Sequence, residues 1–264
     1  MKKDYKNYVF DLYGTLVDIH TEEHNPKLWE KMALFYGYYD AHYTPEELEK
    51  KFRKQIGSRE DVLRKENLKK DDTHEAYPEI KIEDVFEALY REKGVDAGKE
   101  LSIHTGQFFR VLATEYIRLY DGVYELLDAL KKAGKKVYLL SNAQRVFTEY
   151  ELHAFNLIRY FDDVFISSDY QVKKPDIRFF ELLKEKHQLN PEETIMIGND
   201  AVSDIAGAKQ VGFATFYLHS NISPKLPVVM HTDAQGNTVE EVQAPDADFV
   251  LMELDLAKAA EMLV

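Results

Sequence analysis

The chain has 264 residues, 45% of them hydrophobic and 31% charged, enough to bury a core in one large domain or two modest ones. Its 34 basic and 47 acidic side chains leave a formal charge of −13, which makes nucleic acid and anionic membranes poor partners; an anionic ligand would need a local nest of positive charge. The absence of cysteine excludes disulfides, thiolate chemistry and sulfur-ligated zinc. Too few apolar residues precede Asp11 for a signal sequence and no long apolar run follows, so a cytoplasmic protein, monomeric or homodimeric, is expected.

In chain order, the first predicted strand is Tyr8-Val9-Phe10, which ends abruptly at Asp11. From there to about residue 120 the pattern is almost wholly helical. Thr44-Pro45-Glu46-Glu47 reads as a capping box with proline in the first turn, followed by Leu48, Phe52 and Ile56 at fourfold spacing. Ile82, Val85, Phe86, Leu89 and Tyr90 form an apolar stripe that ends at Gly94, and Phe108, Val111, Leu112, Tyr116 and Leu119 form a second. The crowded aromatics Phe35, Tyr36, Tyr38, Tyr39 and Tyr43 fit helix packing better than a ligand pocket.

From about residue 121 strands and helices alternate. Val123, Leu126, Leu127 and Leu130 share a helix face closed by Gly134. Val137–Leu140, Val164–Ile166, Thr194–Ile197 and Phe213–Tyr217 are short unalternating apolar runs, the kind buried on both faces of a parallel sheet. A helix with Phe179, Leu182 and Leu183 inward follows Pro175. Val228–Met230 and Val239–Val242 flank Asp233-Ala234-Gln235-Gly236-Asn237 as a hairpin, read as a surface embellishment rather than a lid or dimer contact. Phe249–Leu251 and a final helix complete the chain. The expected fold is α/β: a Rossmann-like parallel sheet domain (1–19 and 119–264) with an inserted helical domain (20–118). In such sheets the ligand site lies beyond the carboxyl ends of the strands.

The residues ending the runs carry chemistry there. Asp11, followed by a turn through Gly14, suits a nucleophile or metal ligand, or a plain turn residue. Ser141-Asn142 can bind phosphoryl or carboxylate oxygens, or cap a helix. Lys174, set in extended backbone by Pro175, can neutralise a dianion or sit solvated in a loop, and Lys173 competes for the role. Asp200 and Asp204, four residues apart, either share a face with Asp11 around a hard cation such as magnesium or serve as helix cap and dipole partner.

These four elements, in this order and each after a predicted strand, resemble the four motifs of the haloacid dehalogenase superfamily, and Gly207-Ala208-Lys209-Gln210-Val211-Gly212 extends the match. The resemblance implies a helical cap between the first two motifs and attack by Asp11 with a covalent intermediate. It also implies a substrate group held by Thr15, Ser141, Asn142 and Lys174, and Mg2+ bound by Asp11, the Tyr13 carbonyl and Asp200. Asp204 would be a further metal ligand or an acid that positions the site. Tyr13 stands where phosphatases of the superfamily carry their acid–base Asp, and Asp-x-Tyr-Gly-Thr is the opening of L-2-haloacid dehalogenases, whereas Gly198-Asn199-Asp200 with Asp204 is the metal-binding, phosphatase-like ending. The resulting expectation is a magnesium-dependent phosphohydrolase for a small phosphorylated metabolite. The alternatives are an L-2-haloacid dehalogenase and a weakly catalytic binding protein.

Overall fold

The computed structural model describes residues 4–70, 77–232 and 238–263. In chain order the strands are β1 (Asn7–Phe10), β2 (Val17–Thr21), β3 (Thr114–Leu119), β4 (Lys136–Ser141), β5 (Asp163–Ile166), β6 (Thr194–Gly198), β7 (Ala214–Leu218), β8 (Val228–Thr232), β9 (Thr238–Val242) and β10 (Phe249–Leu251). The helices are α1 (Pro26–Gly37), α2 (Pro45–Lys70), α3 (Ile82–Glu92), α4 (Gly98–Ala113), α5 (Val123–Lys132), α6 (Arg145–Ala154), α7 (Ser167–Tyr170), α8 (Ile177–His187), α9 (Gly207–Gln210) and α10 (Leu256–Leu263). No helix among the described residues is long and apolar enough to cross a membrane.

Six strands form one parallel sheet in the order β10-β7-β6-β1-β4-β5, so every apolar run predicted as a buried strand takes its place in it. Strand order reverses at β1, whose neighbours are β4 and β6, and that switch opens a crevice at the carboxyl ends of these three strands. Alternate side chains of β1 feed two cores. Tyr8 and Phe10 pack with Leu126, Leu127 and Leu130 of α5 and Leu256 of α10, while Val9 packs with Phe179, Phe180 and Leu183 of α8. In α8 the inward residue is Phe180 rather than the expected Leu182, which is over a third exposed.

Helices α1 to α4 have a core of their own around Trp29, Phe52, Phe86 and Phe109. Thr44 Oγ1 accepts from Glu47 N as the capping box requires. Tyr36 stacks on Tyr90 with centroids 4.1 Å apart, and Tyr43 donates to the Leu89 carbonyl, so both serve helix packing; Tyr38 faces solvent.

Two details differ from the sequence reading. The stretch to residue 120 is not wholly helical, because β2 and β3 pair as an antiparallel ribbon at the two ends of the helical block. The second apolar stripe is also misplaced. Helix α4 stops at Ala113, Tyr116 and Leu119 lie on β3, and Val111 is 72% exposed. The buried face of α4 is Ser102, Thr105, Gly106, Phe109 and Ala113, mostly small or polar residues that a hydrophobic pattern cannot register. The expected boundaries at 19/20 and 118/119 fall within the ribbon strands. β8 and β9 pair as the expected hairpin, apart from the main sheet; its central residues 233–237 lie outside the described residues.

Candidate active site

A polar cavity of about 220 Å³ opens at the carboxyl ends of β1, β4 and β6, lined by Asp11, Tyr13, Asn142, Lys174, Asp200 and Asp204, with Asn199, Ser203, Ile222 and Pro224 completing the wall. Asp11 continues β1, its N–H donating to the Ile197 carbonyl. The turn beyond it requires glycine at residue 14. There φ is +86°, and a Cβ would stand 2.2 Å from Asn199 Nδ2.

The cation is Lys174, not Lys173. Lys174 is almost fully buried and its Nζ donates to Asp11 Oδ1 at 2.8 Å, Asp204 Oδ1 at 2.6 Å and the Leu140 carbonyl at 2.7 Å. Lys173 Nζ instead lies 3.7 Å from Glu60, partly exposed. Burial works against the Lys174 ammonium, but Asp11 and Asp204 outweigh it and hold its pKa above the ordinary lysine value. All three donors of the ammonium are thus satisfied, which a buried charge requires.

Asp200 caps the turn after β6, Oδ1 accepting from Val202 N and Ser203 N. That turn is π-helical, and it carries Asp204 back beneath the strand end. Asp204 Oδ2 accepts from Asn199 N and Asp200 N at 3.0 Å each, while Oδ1 faces Lys174. Burial, the largest influence, and Asp11 raise the Asp204 pKa against the pull of Lys174. Both oxygens of Asp204 are thus engaged, one by the loop and the other by the lysine. Gly198 permits this, since a Cβ there would stand 2.3 Å from Asp204 Oδ2.

Neither Ser141 nor Asn142 caps a helix, since the residue at the N-cap of α6 is Gln144. Asn142 spends both ends of its amide on the lysine loop, Nδ2 donating to the Lys174 carbonyl and Oδ1 accepting from Lys174 N. Ser141 is fully buried at the strand end and its hydroxyl has no hydrogen-bond partner in the protein. Thr15 Oγ1 makes long contacts of 3.5 Å with Asp11 Oδ2 and Asn199 Oδ1.

Tyr13 does not present a free acid. Its hydroxyl donates to Glu151 and contacts Thr148 Oγ1 at 3.0 Å, both on α6, and Arg110 of α4 pairs with Glu151 at 2.7 Å and stacks over the Tyr13 ring. Burial first, then the Glu151 charge, pushes the phenol far above its usual pKa. Glu151, Arg110, Asn199 and Ser203 were not singled out from sequence. Asn199 sits inside the Gly-Asn-Asp motif and was legible there; the others carry no local signal.

Donor chemistry for magnesium is present: Asp11 and Asp200 offer hard carboxylate oxygens at one cavity, and magnesium is bound through one or two carboxylates plus water. Among the described residues no group of three acidic or histidine side chains is arranged around one point.

The comparisons agree with this architecture. The chain is 29% identical over 149 residues to the HAD-hydrolase YfnB of Bacillus subtilis, the aligned part spanning 56% of this chain and 61% of that protein. It is 30% identical over 217 residues to a phosphoglycolate phosphatase of Vibrio parahaemolyticus, covering 82% of this chain and 85% of that one. By structure, magnesium-bound YfnB superposes over 99% of each chain with a TM-score of 0.53 at 18% identity. A 2-haloacid dehalogenase of Pseudomonas syringae superposes over 98% of each with 0.54 at 17%, so these two likenesses speak to the fold alone. A family model for hydrolases of the haloacid dehalogenase-like kind matches residues 5–212, from just before β1 to just beyond α9, and the chain belongs to that family.

Proposed function

We propose that the chain is a magnesium-dependent phosphohydrolase acting on a small phosphorylated metabolite, with the helical block as a cap over the crevice and the domain boundaries in the β2–β3 ribbon. The observation that carries this reading is the buried Lys174 ammonium beside the Asp11 carboxylate, with Asp200 on the same small polar cavity. Asp11 attacks phosphorus through a carboxylate oxygen, the bond to the leaving oxygen breaks, the leaving group departs as an anion that takes its proton from water, and the phosphoryl group is held on Asp11. Water then attacks that phosphorus, releasing inorganic phosphate and restoring the carboxylate. Lys174 offsets the charge of the transferred group, and the orphaned Ser141 hydroxyl has a donor free for one of its oxygens. Asp11, Asp200 and the Tyr13 carbonyl are the groups that would hold magnesium, which neutralises phosphoryl charge.

Dehalogenation of a 2-haloacid is the second reading. Its support is Tyr13, whose hydroxyl is tied to Glu151, leaving the acid–base position empty for a reaction that needs no proton donated to its leaving group. A panel of phosphorylated metabolites with and without magnesium, alongside 2-chloropropionate, separates the two. Magnesium-dependent phosphate release supports the first reading. Halide release that survives chelator, with no phosphate ester turned over, refutes it.

A further inference from the structure

We infer that the segment from Tyr77 to Ile82, which joins α2 to α3 in the helical block, is part of the apparatus that positions Lys174, with Glu79 and Gln144 as its positioning residues. The segment leaves its own helices and lies against the lysine loop. Pro78 bridges to Val172 in antiparallel fashion, Lys173 N donates to the Tyr77 carbonyl at 3.0 Å, and Glu79 N donates to the Gln171 carbonyl at 3.2 Å. These contacts hold the backbone of residues 171–173, just ahead of Lys174, while the Asn142 amide grips Lys174 N and its carbonyl. The residue that reaches Asp11 is therefore clamped between two elements distant in sequence.

Glu79 fixes the segment in turn. It is a buried carboxylate outside the cavity and outside the chemistry proposed above. One oxygen accepts from Ser167 Oγ at 2.9 Å and the other from Gln144 Nε2 at 2.9 Å. Gln144 also donates to the Ile80 carbonyl, and its Oε1 accepts from Ile82 N, an N–H at the start of α3, where Lys81 offers no side-chain cap. A buried carboxylate is expensive to desolvate unless its acceptors are filled. Here it joins the turn after β4, α7 and the helical block at one point, two residues from Asn142. The arrangement makes the seating of the helical block a condition for the placement of the lysine, and this linkage bears on catalysis through the reading of Lys174 given under the proposed function.

Amide hydrogen exchange on the full chain tests the linkage without relying on any activity. In Glu79→Ala the amides of Lys173 and Lys174 should exchange at least about tenfold faster while those of Met196 and Ile197 in β6 keep their protection. Unchanged protection at Lys173 and Lys174 would overturn the inference. Should Glu79→Ala fail to fold, Gln144→Leu, which removes the other half of the pair, is read in the same way. Kinetics with p-nitrophenyl phosphate and magnesium form the second arm. Displacement of a reacting group by an ångström can cost about 10²-fold, so kcat should fall roughly 10- to 100-fold with KM within about twofold. Leu89→Ala, in the core of the helical block, should lower stability and leave kcat per folded molecule in place. An unchanged kcat in Glu79→Ala overturns the positioning role. If the wild type turns over no phosphate ester, the proposed function fails and the exchange result alone decides the linkage.

Discussion

The Tyr13 hydroxyl, two residues beyond Asp11, donates its hydrogen bond to Glu151, 138 positions along the chain. A phenol held in this way, with its pKa pushed up by burial and by that carboxylate, is a poor donor or acceptor of protons at neutral pH. Tyr13→Phe should accordingly leave kcat for p-nitrophenyl phosphate within about twofold, since no acid–base contribution is lost. Stability should fall by about 1–3 kcal/mol, because Glu151 and Thr148 lose a buried partner. Urea unfolding beside steady-state kinetics checks both. A large loss of kcat at unchanged stability would place the hydroxyl in the chemistry.

Lys174 is the sole cation contacting both buried carboxylates Asp11 and Asp204 among the described residues. Lys174→Met leaves those charges facing each other without compensation, and breaking a buried pair on one side costs about 3–5 kcal/mol. Denaturant unfolding at pH 8 should show a loss of that size along with loss of turnover. A variant as stable as the wild type would mean that the two carboxylates relax apart.

Acid stability has a separate contributor far from the crevice. Burial raises the pKa of Asp162, but hydrogen bonds from Lys131, Lys136 and Val137 N outweigh it and hold the carboxyl down to about 2, below the ordinary aspartate value of 3.8. A depressed acid contributes stability above its unfolded value and loses it as pH falls through its folded value. The wild type should exceed Asp162→Asn by about 1 kcal/mol at pH 6 after allowance for solvent screening, and the gap should close towards pH 2. Unfolding curves at pH 6, 4 and 2.5 give the comparison. A gap that widens on acidification would reverse the sign and reject the assignment.

How far the sequence reached follows from what kind of interaction made each feature. Strands such as Thr194–Gly198 were legible because burial on both faces leaves unbroken apolar runs, and α5 because its four leucine and valine positions keep one face. The β2–β3 ribbon was hidden. Val17–Thr21 is only five residues long, and the apolar spacing of Phe108, Val111 and Leu112 continues by coincidence into Tyr116 and Leu119 across the junction of α4 and β3. At the site, spacing brought Asp200 and Asp204 to the right strand end but could not show that Asp204 would bond to backbone N–H groups. Nor could it show that Glu79, Arg110 and Glu151 would converge on the loops of the crevice, because such pairings are long-range and leave no local pattern.

The different engagement of the two acids makes their substitutions distinguishable. Asp200 has one oxygen in the cap and faces the cavity, so Asp200→Asn should weaken magnesium binding, by about the 10- to 100-fold typical of a damaged metal site. Asp204→Asn should act more on stability, by removing one of the two negative partners of Lys174 and weakening an acceptor of two backbone N–H groups. Magnesium titration calorimetry paired with thermal unfolding resolves them. Equal loss of magnesium affinity in both variants would return Asp204 to the ligand set.

Restoring a carboxylate at residue 13 addresses the leaving group. If nothing donates a proton there, turnover should depend steeply on leaving-group pKa, alkyl phosphates suffering most and acyl or aryl phosphates least. An aspartate at this position is too short to occupy the place of the phenol against Glu151, and the nearby negative charge would raise its pKa, which suits a carboxylic acid that must hold a proton near neutrality. Tyr13→Asp should therefore raise alkyl phosphate turnover, with a ceiling of ~10²–10⁴-fold, and flatten the dependence on leaving-group pKa. The gain should fall short of that ceiling, because the variant also gives up the Tyr13 hydrogen bonds and the Arg110 stacking contact that tie the Asp11 loop to α6 and α4. The measurement is kcat/KM over a series of alkyl and aryl phosphates for both proteins. If Tyr13→Asp leaves the alkyl rates and the slope unchanged while the wild type releases halide from 2-chloropropionate, the phosphatase reading is wrong and the dehalogenase reading takes its place.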